Sequence, residues 1–156
     1  MALDIFNIYT ERLQNGHVQE IRETLSSDFL DVHENALSYT GTIEINGEAY
    51  LASDELIIHA SLSAHCIIPC SVCNEPVTIL VKLEDFYHAE PLSAIKSRVF
   101  NIGSLVREAL LLETPMFAEC NNGHCQKRQE IEHYLKPTHK DASLEEGYRP
   151  FVDLDI

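Results

Sequence analysis

Two pairs of cysteines constrain this chain more than anything else in it. Cys70 and Cys73 stand in Pro69-Cys70-Ser71-Val72-Cys73-Asn74, and Cys120 and Cys125 in Cys120-Asn121-Asn122-Gly123-His124-Cys125. Thiolates are soft donors and zinc imposes no geometry of its own, so four sulfurs that meet close a tetrahedral site with no open position. Zinc in such a site would be structural, stabilising the fold and taking no part in a reaction. The 46 residues between the pairs exceed the roughly 15–20 of a zinc ribbon. Closing a loop costs only about 0.6 kcal/mol more per doubling of its length, so the separation does not exclude the site. The other reading of these residues is a set of reduced, partly buried cysteines. His65 and His124 are secondary candidate ligands, and Cys66, inside an apolar run, reads as a core thiol.

The surroundings of Cys70 and Cys73 bear on a second chemistry. A C-x2-C dithiol becomes a reactive redox couple when a helix N-terminus or a cation lowers the thiol pKa. Here Asn74-Glu75-Pro76 follows the pair and leads into a strand-like run, so the sequence offers no such helix. A thiol redox protein using Cys70 and Cys73 is therefore the alternative to a structural site. The chain has no G-x-S-x-G elbow, no phosphate-binding glycine loop and no H-E-x-x-H, so the residues point to a noncatalytic protein.

Around the cysteines the chain reads as α+β: an antiparallel sheet of hairpins, open or barrel-like, with two to three helices packed on it. Residues 3 to 9 alternate as a first strand, and Val18, Ile21, Arg22 and Leu25 recur as on a short helix over His17 to Ser26. Leu37 to Ile45 and Glu48 to Ala52 read as two strands joined by a tight turn at Asn46-Gly47. Ser53-Asp54 marks a second turn or a bulge. Leu56 to Ile68 and Val77 to Phe86 are further strands, which places the first cysteine pair in a hairpin connection. Tyr87 to Arg98 loses periodicity and reads as a loop. Asn101 can cap a helix carrying Ile102, Leu105, Val106, Ala109, Leu110 and Leu112, stopped by Pro115. A polar helix over Gln126 to Leu135 ends at Lys136-Pro137. Residues 1–137 thus form one domain, and residues 138–156 an acidic C-terminal tail with an apolar insert from Tyr148 to Val152.

Charge narrows the partners. The formal charge of −14 divides into −9 over residues 1 to 60, −1 over 61 to 140 and −4 over 141 to 156. Such a chain repels phosphate over a Debye length of about 8 Å and suits a basic protein better than nonspecific nucleic acid. A local patch of Lys127, Arg128, Lys136 and Lys140 could still touch RNA. The exposed-looking carboxylates Glu44, Glu48, Glu84 and Asp85 read as the solvated side of the sheet, and Arg107-Glu108 as a solvated pair. No run reaches the ~18 apolar residues of a membrane span, and the start lacks a basic n-region. A cytoplasmic protein with no membrane partner is expected, and the odd count of five cysteines argues against a disulfide framework.

Three stretches together resemble the bacterial YceD (DUF177) family of large ribosomal RNA subunit accumulation proteins. They are Cys70-x-x-Cys73 followed by Glu75-Pro76-Val77 and a strand into Phe86, the run from Asn101 to Pro115 with Glu108 on its helix, and the glycine-containing cluster Cys120 to Cys125. The resemblance covers about residues 35 to 126, with Asn101 where the family often has Asp. It implies a noncatalytic part in the accumulation or processing of 23S ribosomal RNA. The contact implied is with a ribosomal protein or other pre-50S component, with precursor 23S RNA, or with a processing enzyme. Glu108, matching the family's helix glutamate, would support the fold or touch that partner.

Overall fold

The computed structural model describes residues 4–135. The expected tail 138–156, the helix stop at Lys136-Pro137 and the lysines Lys136 and Lys140 lie outside the described residues. Strands β1 (Asn7–Tyr9), β2 (Gln19–Ser26), β3 (Ser38–Ala52), β4 (Glu55–Pro69), β5 (Pro76–Pro91) and β6 (Val99–Asn101) precede helices α1 (Gly103–Glu113) and α2 (Arg128–Leu135). They form an open four-stranded antiparallel sheet in the order β2-β3-β4-β5 and a two-stranded antiparallel ribbon of β1 and β6. The fold is α+β, and the sheet does not close into a barrel.

Alternation in β4 sets the architecture. Leu56, Ile58, Ala60, Leu62, Ala64, Cys66 and Ile68 are all buried, and the residues between them, apart from Ile57, are less so. One face of the sheet therefore carries the core. Ile43, Ile45 and Ala49 of β3 and Val81 of β5 extend that face, and Val106 and Leu110 of α1 close over it. The Asn101 side-chain oxygen accepts the Gly103 N–H at 2.9 Å, but Asn101 ends β6 and the N-cap position falls on Ile102, one residue later than expected. The helix ends at Glu113 before Pro115. Glu44, Glu48, Glu84 and Asp85 lie on the exposed side.

Several local expectations are corrected. Residues 17 to 26 are not a helix. Gln19–Ser26 is an edge strand whose Ile21, Glu23 and Leu25 pair with Gly47, Ile45 and Ile43. Both periods fit these ten residues, and the available edge of β3 decides between them. Asn46-Gly47 is no turn either: β3 runs through it, with Gly47 between Ile21 and Ala60. A Cβ there would sit 2.3 Å from the His59 carbonyl oxygen and 2.5 Å from the Ala60 Cα, so the glycine serves a close strand approach. Ser53-Asp54 makes the β3–β4 turn, with Ser53 at φ 55°.

The first strand is shorter than residues 3 to 9, because Asp4–Phe6 forms a 3-10 turn before Asn7–Tyr9. The expected loop from Tyr87 to Arg98 is strand as far as Pro91, paired with Glu55 to His59 of β4. Arg107 is not merely solvated: its Nε donates to the Leu30 carbonyl at 2.8 Å. Glu108 is exposed.

Candidate metal centre

The β4–β5 hairpin holds the first pair of thiols. Cys70 N–H donates to the Glu75 carbonyl at 2.8 Å and Asn74 N–H to the Cys70 carbonyl at 2.9 Å, so the turn closes on itself. Asn74 sits at φ 63°, a left-handed position that asparagine tolerates better than most residues. Strand β5 follows the pair directly.

The second pair arrives from α1. Past Pro115 the chain runs alongside the hairpin turn, where Ser71 N–H donates to the Ala118 carbonyl at 2.8 Å and Cys70 bridges Ala118 in parallel. The turn Cys120–Gly123 holds Asn121 and Asn122 at left-handed angles (φ 55° and 53°). The Asn121 side-chain amide donates to the His124 carbonyl at 3.2 Å. This reversal returns Cys125 to Cys120 across the C-x4-C spacing.

All four expected ligands, Cys70, Cys73, Cys120 and Cys125, meet: their sulfurs lie within 4.8 Å of one another. Cys73 and Cys120 are 3.7 Å apart, close to the ~3.8 Å edge of a tetrahedron with zinc–sulfur bonds of about 2.3 Å. No disulfide joins any of them. Cys70 and Cys125 are buried, and Cys73 and Cys120 are half-buried. The four therefore form a site able to hold a metal ion, with sulfur at every corner. Neither His65 nor His124 belongs to the group; both are exposed. Cys66 lies in the core, and burial pushes its thiol pKa up.

Backbone donors prepare one sulfur for negative charge. Burial acts to raise the Cys70 thiol, yet the N–H groups of Cys120, Cys73 and Val72 outweigh it and bring it down to about 6. Cys120 N–H and Val72 N–H lie 3.3 and 3.4 Å from that sulfur. Cys120 is pushed up to about 12, first by its hydrogen bond with the Cys125 sulfur and then by burial. Cys73 is also raised, because burial and the Cys70 sulfur overcome the lowering effect of the Glu75 N–H. Once one thiolate exists its neighbours resist a second. A cation at the centre removes that resistance by replacing the shared protons.

Glu119 and Arg128 complete the surroundings, and sequence reasoning gave them no role in the site. One Glu119 carboxylate oxygen accepts the Cys125 N–H at 2.8 Å and the Arg128 Nε at 3.0 Å, and the other accepts from Arg128 Nη2. Arg128 first, then the Cys125 N–H, holds this carboxyl at about 2. The Glu119 side chain is 11 % exposed. The sequence carried only a positional signal: an acid directly before Cys120 and a base three residues after Cys125. Arg128, read earlier as part of an RNA-facing patch, is engaged here.

No family model, curated protein or solved structure matches the chain.

Proposed function

We propose that the four cysteines hold one structural zinc ion in a noncatalytic adaptor that supports the accumulation of 23S ribosomal RNA. The convergence of Cys70, Cys73, Cys120 and Cys125 within 4.8 Å carries the metal part. Four thiolates suit zinc, whereas magnesium or calcium would require oxygen ligands. A closed set of four leaves no position for a substrate, so the ion's task is to fasten the β4–β5 turn to the chain beyond α1.

The ribosomal part rests on the resemblance of three stretches to the YceD family, from the first cysteine pair through Asn101–Pro115 to the second pair. The charge of −14 supports a basic ribosomal protein or other pre-50S component as the partner in preference to bare precursor RNA. Cytoplasmic residence belongs to the same proposal. Among the described residues no helix is long and apolar enough to cross a membrane. Depletion of the protein should lower 23S relative to 16S RNA, and unchanged levels of both would refute the assignment. Metal analysis of the purified chain should find one zinc per molecule, lost in Cys120→Ser and Cys125→Ser.

A second reading draws on one observation. With its pKa near 6, Cys70 would be ionised at neutral pH, as a redox nucleophile requires. The thiol redox reading therefore stands as the competitor. It differs in needing only Cys70 and Cys73 and in requiring a sulfur open to a partner. Cys70 is 2 % exposed. Rapid disulfide exchange by the metal-free chain, unaffected by Cys120→Ser, would favour it over the structural site.

A further inference from the structure

The segment Thr114–Glu119 is fastened at both ends. Thr114 donates its N–H and its hydroxyl to the Leu110 carbonyl at 3.1 and 2.7 Å, and its hydroxyl also bonds the Tyr39 hydroxyl. At the far end the Ala118 carbonyl holds Ser71 at 2.8 Å, and Cys120 N–H points at the Cys70 sulfur from 3.3 Å. Between these anchors Met116 and Phe117 face water at 86 % and 78 % exposure, beside Leu112 of α1 at 79 %. Three of the eight large apolar side chains exposed among the described residues thus fall within positions 112–117. Apolar residues exposed one at a time are ordinary, whereas three within six positions, two of them on a segment tied at both ends, mark a contact surface.

Charge selects the occupant. Glu108, one helical turn before Leu112, and Glu113 are exposed on the same helix. The basic side chain of α1, Arg107, is turned to the Leu30 carbonyl at 2.8 Å. The exposed carboxylates of Glu108 and Glu113 attract a cationic polypeptide and repel RNA phosphate.

We propose that Leu112, Met116 and Phe117 form a metal-braced docking surface for a basic protein segment that carries apolar side chains. The bracing rests on the zinc reading above: an ion on Cys120 fixes the downstream anchor, so Met116 and Phe117 are presented in one arrangement. Less ordering is then needed on binding. The surface gives the structural ion a role in recognition.

The test uses the full-length zinc-loaded chain and a labelled synthetic amphipathic helix with leucines on one face and lysines on the other. Fluorescence anisotropy is read for the wild type and for the Met116→Ser/Phe117→Ser double variant, matched for zinc content and circular dichroism. Binding should weaken roughly tenfold or more in the variant, and a peptide with glutamates in place of the lysines should not bind. Equal binding by both proteins would overturn the proposal. So would tighter, Phe117-dependent binding of single-stranded RNA, or a dimer that the double variant dissolves. Stronger peptide binding after Tyr148→Ser/Phe151→Ser would also overturn it, by assigning the surface to the chain's own C-terminal segment. A wild type without zinc whose double variant still loses the peptide would remove the metal reading and leave the surface. A zinc-bound wild type matched by its double variant would remove the surface alone.

Discussion

The sulfur of Cys73 lies 3.7 Å from that of Cys120, across 47 positions of chain. That distance is far beyond the ~2.05 Å of a disulfide and near the sulfur–sulfur edge of a zinc tetrahedron. Cys73 comes from a hairpin and Cys120 from the segment after a helix. Their meeting depends on the packing of α1 over β4 and β5, which delivers the chain to the hairpin turn.

Zinc on these four sulfurs should therefore stabilise the folded chain. Added to the metal-free chain at a hundred times its dissociation constant, it should raise unfolding stability by about 2.7 kcal/mol. Urea unfolding with buffered zinc checks this, and no dependence on zinc would contradict the site.

Thiol accessibility should split the five cysteines into two groups. After chelation the half-buried Cys73 and Cys120 should become reactive to iodoacetamide, whereas the buried Cys66, Cys70 and Cys125 should react only on unfolding. Mass spectrometry of the alkylated chain distinguishes the groups. Labelling of Cys66 at the same rate as Cys73 and Cys120 would show that the core thiol is misassigned.

Replacing Glu119 by alanine should free the Cys125 N–H and Arg128 together. Groups that orient ligands without touching the metal typically change affinity by about 10–100-fold, and a loss in that range is expected in competition with a chromophoric chelator. Glu119→Gln, which keeps an acceptor, should fall between the wild type and Glu119→Ala.

The same carboxylate sets an acid-dependent contribution in the metal-free chain. Its folded value of about 2 lies below the ~4.3 of a free glutamate. A depressed carboxyl contributes stability that is present above the unfolded value and is lost as the pH falls through the folded one. The urea midpoint should thus drop from about pH 4.3 toward pH 2, and less steeply in Glu119→Gln. Parallel profiles for the two proteins would count against the Glu119–Arg128 clamp.

Gly47→Ala should destabilise the sheet by about 1–3 kcal/mol, the usual cost of overpacking. The added methyl meets main-chain atoms of His59 and Ala60, which cannot rotate away. Urea unfolding gives the value, and a neutral result would show that β3 and β4 can separate locally.

Sequence alone determined the features in which one local pattern had one solution. The alternation in β4, the apolar spacing of α1 with Asn101 before it, and the sulfur chemistry of the two cysteine pairs needed no knowledge of neighbours. Tertiary structure decided the rest. Residues 19–26 satisfy a helical and an extended period equally, and pairing with β3 selects the strand. Asn46-Gly47 has turn chemistry, but a fifteen-residue strand crossing Ala60 required a position without a side chain. Glu119 and Arg128 showed no periodic pattern, because a carboxylate finds a buried N–H and a guanidinium only after the left-handed turn has brought Cys125 back to Cys120.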